Sequence, residues 1–594
     1  MDNASELPPP DPLETPAATP YGSPDRSLSP SATTLASGAR GLVRFLYNHN
    51  PFYVVSALLI CHGLRVSFLD TPGRFQTRSM IAGLMGFTVL LAVMAWLVIR
   101  LGKVWNDART LLVLVILMFV AISVSCDYSL AESLAGINAD GIVNFLAGFA
   151  FALVVSEGLL RGLGIRLPIL YRGPYYLFLA LFFIYPVAIS PLMVRNGNRW
   201  LPWALFGFSP AAGIAWLALL PAVRRGPDYG RPNGTPWPWP WFPWTLFVVL
   251  AVAVGIRAYS MLLSFHTVAG GDSIFRPYFL VPFLWAVGLV LLEIGLATRS
   301  RWPRALALAV PVVLLALAAL NGSSSFVHRQ FMADFEQLLG GSPLFLSLVA
   351  VVAFYALATA RRVPAAYDLL TLAICGLTVI GPHTHDLLEL TAPKALPLLA
   401  GALLQVWPAL ARFDSRRWFL AGVGALAAAT VQFQGTWFTA HDGFIPCHLL
   451  LLIVLAVGAW SRDAWARAWQ NLAAVALGLL AVAWSQAAWH PALTAELPSA
   501  AVLAYPVVMA IVAWGYGRLT HNHFYDVAAA IHTIALAAFA GSHAWVWSRQ
   551  ELPGFDYIAW GMACFALAAL ISLLKTGVPQ RWWARRYDAR PPVI

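Results

Sequence analysis

The stretch FPWTLFVVLAVAVGIRAYSMLL, residues 242–263, indicates the fold class of this protein. Its only charged residue is Arg257, and the run is long enough to cross a bilayer, which takes about 20 apolar residues. Similar runs follow one another along most of the chain, separated by short polar breaks. A helix is the structure that such runs adopt in lipid, because it satisfies its backbone hydrogen bonds internally. We therefore predict an all-α, polytopic membrane protein with about 18 transmembrane helices and short loops.

The composition excludes a soluble globular protein. Of the 594 residues, 59% are hydrophobic and 11% are charged, and the mean hydropathy is +0.70. Soluble domains carry about 25% charged residues. The net charge of +11 resembles that of nucleic-acid-binding proteins, but the basic residues lie in twos and threes between apolar runs. The predicted partner is therefore the lipid bilayer and not a nucleic acid, and the sequence indicates no particular protein partner.

The chain divides into three predicted regions. Residues 1–40 are rich in Pro, Ser, Thr and Ala, and such a segment buries too little apolar area to offset the entropy lost on ordering. We predict a disordered tail there, an integral membrane domain over residues 41–577, and a basic tail over residues 578–594. The five Cys residues form no CxxC pair, so the sequence predicts neither a disulfide framework nor a zinc ribbon.

The basic residues predict the orientation. Cytoplasmic loops of membrane proteins carry an excess of Lys and Arg. Most of the 38 Lys and Arg residues fall in alternate breaks and in the two tails, and the break with Arg65, Arg74 and Arg78 is the exception. We predict that both termini are cytoplasmic. Arg greatly outnumbers Lys, which is typical of a GC-rich bacterial genome, so the predicted location is the inner, cytoplasmic membrane of a bacterium.

The polar break GPHTHDLLELTAPK, residues 381–394, holds the first candidate site, on the side opposite the Arg-rich breaks. In an extended segment His383 and His385 point the same way. Together with Asp386 they offer two imidazoles and a carboxylate to Zn²⁺ or a similar metal. The alternative is a capping box, in which Asp386 caps a short interfacial helix and Glu389 reaches back to a free amide.

The second candidate site is the segment HDGFIPCH, residues 441–448. A thiolate, imidazoles and a carboxylate from His441, Asp442, Cys447 and His448 suit a soft metal ion or a Cys nucleophile. The alternative is that Cys447 only packs at the start of an apolar helix. If this segment meets the first candidate site in space, the two supply enough ligands for a closed metal site. A metal ion is the one cofactor that the sequence suggests.

Two polar residues lie within apolar runs, Arg257 and His532. A charge there costs a few kcal/mol, so intramembrane ionisable residues commonly mark ion or substrate paths. For Arg257 the alternatives are an anionic ligand, an extended side chain that reaches the headgroups, or pairing with a carboxylate such as Asp272. Transport predicts that Arg257 and His532 face a shared polar cavity, whereas helices fully packed around both residues, with no cavity, argue against transport.

The segment PWPWPWFPW, residues 236–244, stands out by its alternating Pro and Trp. Such a segment is stiff and extended, and indole rings favour the headgroup region of a bilayer. We predict an interfacial anchor, with a docking segment for a partner as the alternative.

Three functions are compatible with these patterns. The first is a transport or permease-like protein, favoured by the number of spans, the short loops and the Pro-interrupted helices. The second is a membrane-embedded transferase or metal-assisted enzyme whose site is built from the His and Asp clusters. The third is a non-catalytic assembly or sensing component. No familiar nucleotide-binding or hydrolase motif is present in the sequence, so it does not decide whether the protein is an enzyme.

Overall fold

The structure is a computed structural model that describes the chain from residue 52 to residue 575, with short gaps. The described residues are 52–69, 74–134, 140–193, 200–231, 233–269, 276–320, 326–387, 390–412, 414–461, 463–489, 499–551 and 554–575. The two predicted tails, residues 1–40 and 578–594, lie outside them.

The described elements are all helical, which confirms the predicted all-α class. The α-helices are α1 (Phe52–Leu69), α2 (Arg74–Arg100), α3 (Trp105–Leu134), α4 (Gly141–Leu163), α5 (Ile169–Met193), α6 (Leu201–Leu217), α7 (Leu220–Arg224), α8 (Trp241–Ala269), α9 (Val281–Ala297), α10 (Arg301–Ala319), α11 (Phe326–Leu339), α12 (Pro343–Ala360), α13 (Ala366–Gly376), α14 (Ala395–Arg412), α15 (Ser415–Gln432), α16 (Ala440–Trp460), α17 (Ala464–Trp489), α18 (Ser499–Thr520), α19 (Phe524–Glu551) and α20 (Phe555–Lys575). Short 3₁₀ helices cover Pro227–Gly230 and Pro277–Leu280.

The apolar runs of the sequence form helices in the described part of the chain. Among the described residues, 12 helices are long and apolar enough to cross a membrane, and four shorter apolar helices accompany them. The chain is therefore a polytopic helical membrane protein. Helix α11 has no counterpart among the predicted spans, because polar and charged residues such as Arg329, Asp334 and Glu336 interrupt its apolar positions.

The helices form two compact units. Unit 1 comprises α1–α9, the first residues of α10 and the start of α11. Helix α3 lies at its centre and packs against α1, α2, α4, α5 and α8. Leu111, Ile122 and Cys126 of α3 are fully buried, so α3 contributes much of the core of this unit.

Unit 2 comprises most of α10, the end of α11 and helices α12–α20. Helices α12–α16 pack largely in chain order, each against the next, and α17, α18 and α19 contact one another. The core of that last group includes Leu477, Ala513 and Tyr525, which are fully buried. Small residues such as Ala513 let the helix backbones approach closely, which is common between membrane helices.

Candidate functional site

The most deeply buried charged side chains in the described part of the chain form an ion pair in unit 1. Arg257 of α8 and Asp127 of α3 are both 0% exposed. Nη2 of Arg257 donates to Oδ1 of Asp127 over 2.7 Å, and Nη1 donates to Oδ2. Such a bidentate arrangement is the strongest geometry for an arginine and a carboxylate. It offsets the cost of placing either charge away from water.

The remaining donors of Arg257 reach a backbone carbonyl and a hydroxyl. Nε and Nη2 donate to the carbonyl oxygen of Phe182 over 3.3 and 3.2 Å, and Nη1 contacts Oγ of Ser260 at 3.3 Å. The guanidinium also lies 6.0 Å from the centre of the Phe145 ring. With five N–H groups and five hydrogen bonds, Arg257 is fully satisfied.

A proline creates the acceptor that Arg257 uses. Pro186 lies inside α5, four residues after Phe182, and has no N–H to donate to the Phe182 carbonyl. The Ser123 hydroxyl of α3 donates to the same carbonyl oxygen over 2.7 Å. Neighbouring helices thus satisfy the backbone group that Pro186 leaves free, as membrane helices with interior prolines require.

The sequence does not indicate this partner of Arg257. The structure places Asp127 inside α3. Asp272, the carboxylate considered for Arg257, lies outside the described residues. The available signal was the position of Asp127 near the end of an apolar run, but no pattern links it to a residue 130 positions away.

Unit 1 also holds a cavity of about 120 Å³ between α3, α4, α5 and α8. Its walls are almost entirely apolar. The lining residues are Arg109, Leu112, Val113, Val115, Ile116, Phe119, Ser156, Leu159, Leu160, Ile165, Leu167, Tyr175, Trp237, Trp241, Phe242, Pro243, Thr245 and Leu246. Arg109 is the only charged residue among them, and the Pro/Trp segment supplies one wall.

The cavity extends to the end of unit 1 that carries Arg100, Arg109 and Arg161, here termed the Arg-rich end. The part of the cavity beside Arg109 is termed its mouth. Arg100 donates to the carbonyl oxygen of Gly162 at the end of α4 over 3.1 Å. The guanidinium of Arg109 lies 5.2 Å from the centre of the Trp241 ring at the start of α8. These contacts bring together the ends of α2, α3, α4 and α8.

The cavity and the ion pair lie on the same face of α3. Phe119, Ser123 and Asp127 are spaced by four residues, so they share one stripe of the helix. Phe119 lines the inner end of the cavity and is 1% exposed, and Ser123 and Asp127 are fully buried. Along α3 from the Arg-rich end inward, the cavity therefore comes first. The buried Phe119 side chain at its inner end comes next, and the ion pair follows.

The first predicted site contains a contact with α11 that the sequence did not indicate. Nδ1 of His383 lies 3.3 Å from Oε2 of Glu336, and Nε2 of His385 lies 3.1 Å from Oε1. The second contact has an ion-pair distance but not the geometry of a hydrogen bond. Both imidazoles thus face one carboxylate in unit 2. Asp386 is exposed in the same loop.

The loop that carries these histidines is fastened to the start of α12. The Ser342 side chain caps α12 by accepting from the amide of Phe345 over 3.2 Å, and it donates to the carbonyl of Thr384 over 2.5 Å. The amide of Gly381 donates to the Thr384 hydroxyl over 2.9 Å. The described residues 386, 387 and 390–394 do not form the short helix that a capping box requires, and Glu389 lies outside them.

The second predicted site lies at the start of α16, and the structure describes part of it. Nδ1 of His448 lies 2.7 Å from the carbonyl oxygen of Phe444, and Nε2 lies 2.7 Å from the hydroxyl of Tyr505. A carbonyl only accepts, so Nδ1 carries the proton and Nε2 accepts from Tyr505. Cys447 is exposed. The side chains of His441 and Asp442 lie outside the described part.

His532 is buried in α19 and packs in unit 2. Its Nε2 donates to the carbonyl oxygen of Leu477 in α17 over 2.9 Å. Its Nδ1 is buried and has no hydrogen-bond partner among the described residues. In the described ranges, no three His, Cys, Asp or Glu side chains are arranged to hold a metal ion. The metal site therefore stays a prediction from the sequence.

No protein-family model, no curated protein and no solved structure is significantly similar to this chain.

Proposed function

We propose that this protein is a transport protein and that unit 1 contains a gated path in its closed state. The fully buried pair of Arg257 and Asp127 supports this proposal. Charges inside a membrane domain are costly, and they are commonly retained where an ion or a substrate passes. The pair joins α3 to α8, and it also holds the carbonyl that Pro186 frees in α5. Substrate and ion sites of transporters commonly lie at polar centres between membrane helices.

The arrangement along α3 supports a gate rather than a permanently open channel. The cavity ends at Phe119, and the ion pair lies eight residues further on, about 12 Å along the helix. The tight packing around Arg257 argues against an open polar path in this state. Transport therefore requires a second state, in which Arg257 and Asp127 separate and the Phe119 side chain moves away from the inner end of the cavity.

Cys126, next to Asp127, provides a native reporter for that second state. It is fully buried, and its thiol lies 3.6 Å from the carbonyl oxygen of Asn144. The test uses a protein whose other Cys residues are replaced by Ala, reconstituted in vesicles and exposed to a membrane-impermeant maleimide. A second protein carries Asp127→Asn and Arg257→Gln, which removes both charges but keeps polar groups in place.

A gate predicts slow labelling of Cys126 in the parent protein and at least tenfold faster labelling in the neutral-pair variant. The control is the more exposed ion pair of Arg78 and Asp140, whose atoms lie 2.5 Å apart, changed to Gln and Asn. That control leaves the labelling rate of Cys126 unchanged. Equal protection of Cys126 in the folded parent and neutral-pair proteins contradicts a gate and favours a purely structural ion pair.

A further inference from the structure

We infer that the cavity of unit 1 binds an anionic phospholipid, with one acyl chain inside the cavity and the phosphate at Arg109. The inference deepens the proposed function, on which it rests, because it names anionic lipids as the substrate class of the gated path.

The walls of the cavity suit an acyl chain. Its inner part is formed by side chains such as Leu112, Ile116 and Leu246. The two hydroxyls deep in the wall, those of Ser156 and Tyr175, lie 2.7 Å apart and hydrogen-bond to each other. They therefore offer little to ordered water, and cavities with apolar walls stay dry and accept apolar molecules.

The depth of the cavity matches one leaflet. Arg109 and Phe119 mark its two ends on α3, and ten residues of helix span about 15 Å. The hydrocarbon core of a bilayer is about 30 Å thick, so one leaflet contributes about half of that. A lipid chain that starts at the headgroup level by Arg109 reaches the Phe119 layer near its end.

Arg109 supplies the charge that an anionic headgroup needs. It is half-buried at the mouth and forms no ion pair with the described residues. Two other Arg residues at the same end differ, since Arg161 and Arg172 are both paired with Glu157. A cation that has no carboxylate partner in the described part of the chain, beside a deep apolar cavity, is complementary to a phosphate that carries acyl chains.

The Pro/Trp segment completes the mouth at the height of the headgroups. Trp237 lies edge-on to Trp105, with 5.5 Å between the ring centres, and Trp241 lies beside the Arg109 guanidinium. Indole rings favour the headgroup region of a bilayer. The segment therefore forms one wall of a cavity whose mouth lies where lipid phosphates lie.

The direct test uses phosphatidylglycerol with a photoreactive group at the end of one acyl chain. The full-length protein is reconstituted with this probe, irradiated, digested and analysed by mass spectrometry. We expect crosslinks in the α3 segment around Ile116 and in the α8 segment around Leu246. The same probe with a phosphatidylcholine headgroup gives weaker labelling, because its net charge is zero.

Two variants and two matched controls locate the contacts. Arg109→Gln reduces labelling by about fivefold, the effect of one basic residue near an anionic membrane surface. Leu112→Trp fills the cavity and abolishes labelling. Arg166→Gln removes an exposed Arg at the same end, and Leu117→Trp enlarges a half-buried residue of α3 outside the cavity lining. Both controls retain the labelling of the parent protein.

Three outcomes overturn the inference. The first is labelling that is equal in Arg109→Gln and Arg166→Gln. The second is crosslinking spread evenly over the lipid-facing helices. The third is competition by glycerol 3-phosphate, which indicates a soluble phosphate ligand rather than a lipid.

A separate measurement distinguishes failure of this inference from failure of the proposed function. Movement of fluorescent phosphatidylglycerol between leaflets of proteoliposomes is followed in the parent protein and in Arg109→Gln. One outcome is crosslinking in the cavity with no protein-dependent lipid movement and no faster labelling of Cys126 in the neutral-pair variant. That outcome contradicts transport but retains the lipid site. The other outcome is faster labelling of Cys126 in the neutral-pair variant with no crosslinking in the cavity. That outcome retains a transport path and contradicts the lipid as its substrate.

Discussion

Arg257 and Asp127 are 130 positions apart in sequence, and their side chains form a bidentate ion pair fully excluded from solvent. The Phe182 carbonyl, which Pro186 leaves without a helical donor, completes the shell around the guanidinium. Three helices of unit 1 are therefore joined at one polar point. The stability of the unit and the proposed gate depend on the same contacts.

Removal of one partner of this pair destabilises the protein more than removal of both. Asp127→Ala leaves the Arg257 cation buried without a counter-charge, which costs about 3–5 kcal/mol. The double variant Asp127→Leu, Arg257→Met replaces the pair with apolar groups and loses less. Thermal unfolding in detergent, followed by intrinsic fluorescence, measures both. A double variant that is as unstable as Asp127→Ala contradicts the role of the uncompensated charge.

The contribution of Ser123 to the unfolding free energy depends on Pro186. Ser123→Ala removes a donor to the Phe182 carbonyl and lowers the unfolding free energy by about 1 kcal/mol. In a Pro186→Ala background, the amide of residue 186 is free to donate to that carbonyl, so the same change costs less. A double-mutant cycle of unfolding free energies measures this coupling. Additive losses in the cycle contradict it.

Gly141 allows α4 to begin directly against α3. A Cβ atom added at residue 141 would lie 2.6 Å from Cα of Leu130, which is a backbone atom and cannot move aside easily. We expect Gly141→Ala to cost about 1–3 kcal/mol of unfolding free energy through overpacking. Gly158→Ala in the same helix is the control, because a Cβ there meets open space. Unfolding temperatures that fall equally in both variants contradict the close approach.

Asp463 links α15 to α17 and makes part of the stability dependent on pH. Burial opposes its charged form, but hydrogen bonds from the Ser415 hydroxyl and from the amides of Ala466 and Ser415 outweigh this effect. They hold the pKa of the Asp463 carboxyl below its usual value of 3.8. A pKa lowered by folding contributes stability above the unfolded value, and this stability is lost as the pH falls through the folded value.

We therefore expect the unfolding temperature to fall as the pH is lowered from 6 to 3, and to fall less steeply in Asp463→Asn. The distances of 2.6 Å to the Ser415 hydroxyl and 2.7 Å to the Ala466 amide locate the interaction. The control is Asp228→Asn, since the Asp228 side chain is 75% exposed and its ion pair contributes little. Equal slopes in Asp463→Asn and the parent protein contradict this assignment.

Ser342 controls the order of the loop that carries His383 and His385. Ser342→Ala removes the cap of α12 and the donor to the Thr384 carbonyl, and a lost cap costs about 1 kcal/mol. We expect faster hydrogen exchange of the amides of Gly381 and Thr384. Ser342→Thr keeps a hydroxyl and serves as the control. Unchanged exchange in Ser342→Ala shows that other contacts hold the loop.

The sequence alone determined the fold class and the positions of the helices. Apolar length is a local property, because each span must satisfy its own backbone hydrogen bonds in lipid. The runs around Arg257 and His532 could therefore be recognised without knowledge of any neighbour. Helix α11 escaped detection for the same reason, since its charged residues conceal its apolar positions.

Only the tertiary structure decided what the polar residues contact. His383 and His385 face Glu336, which lies in a preceding helix, and His448 has both ring nitrogens engaged by Phe444 and Tyr505. The sequence indicated these histidines as candidate ligands, because it shows which groups are present and not which groups lie beside them.

The pairing of Arg257 with Asp127 was decided in the same way. Hydropathy places both residues near apolar runs, but several carboxylates on other helices carry the same charge. The choice among them depends on which helices pack together and on which face each residue lies. Those are properties of long-range packing, so the ion pair and the cavity beside it emerge only when α3, α5 and α8 are assembled.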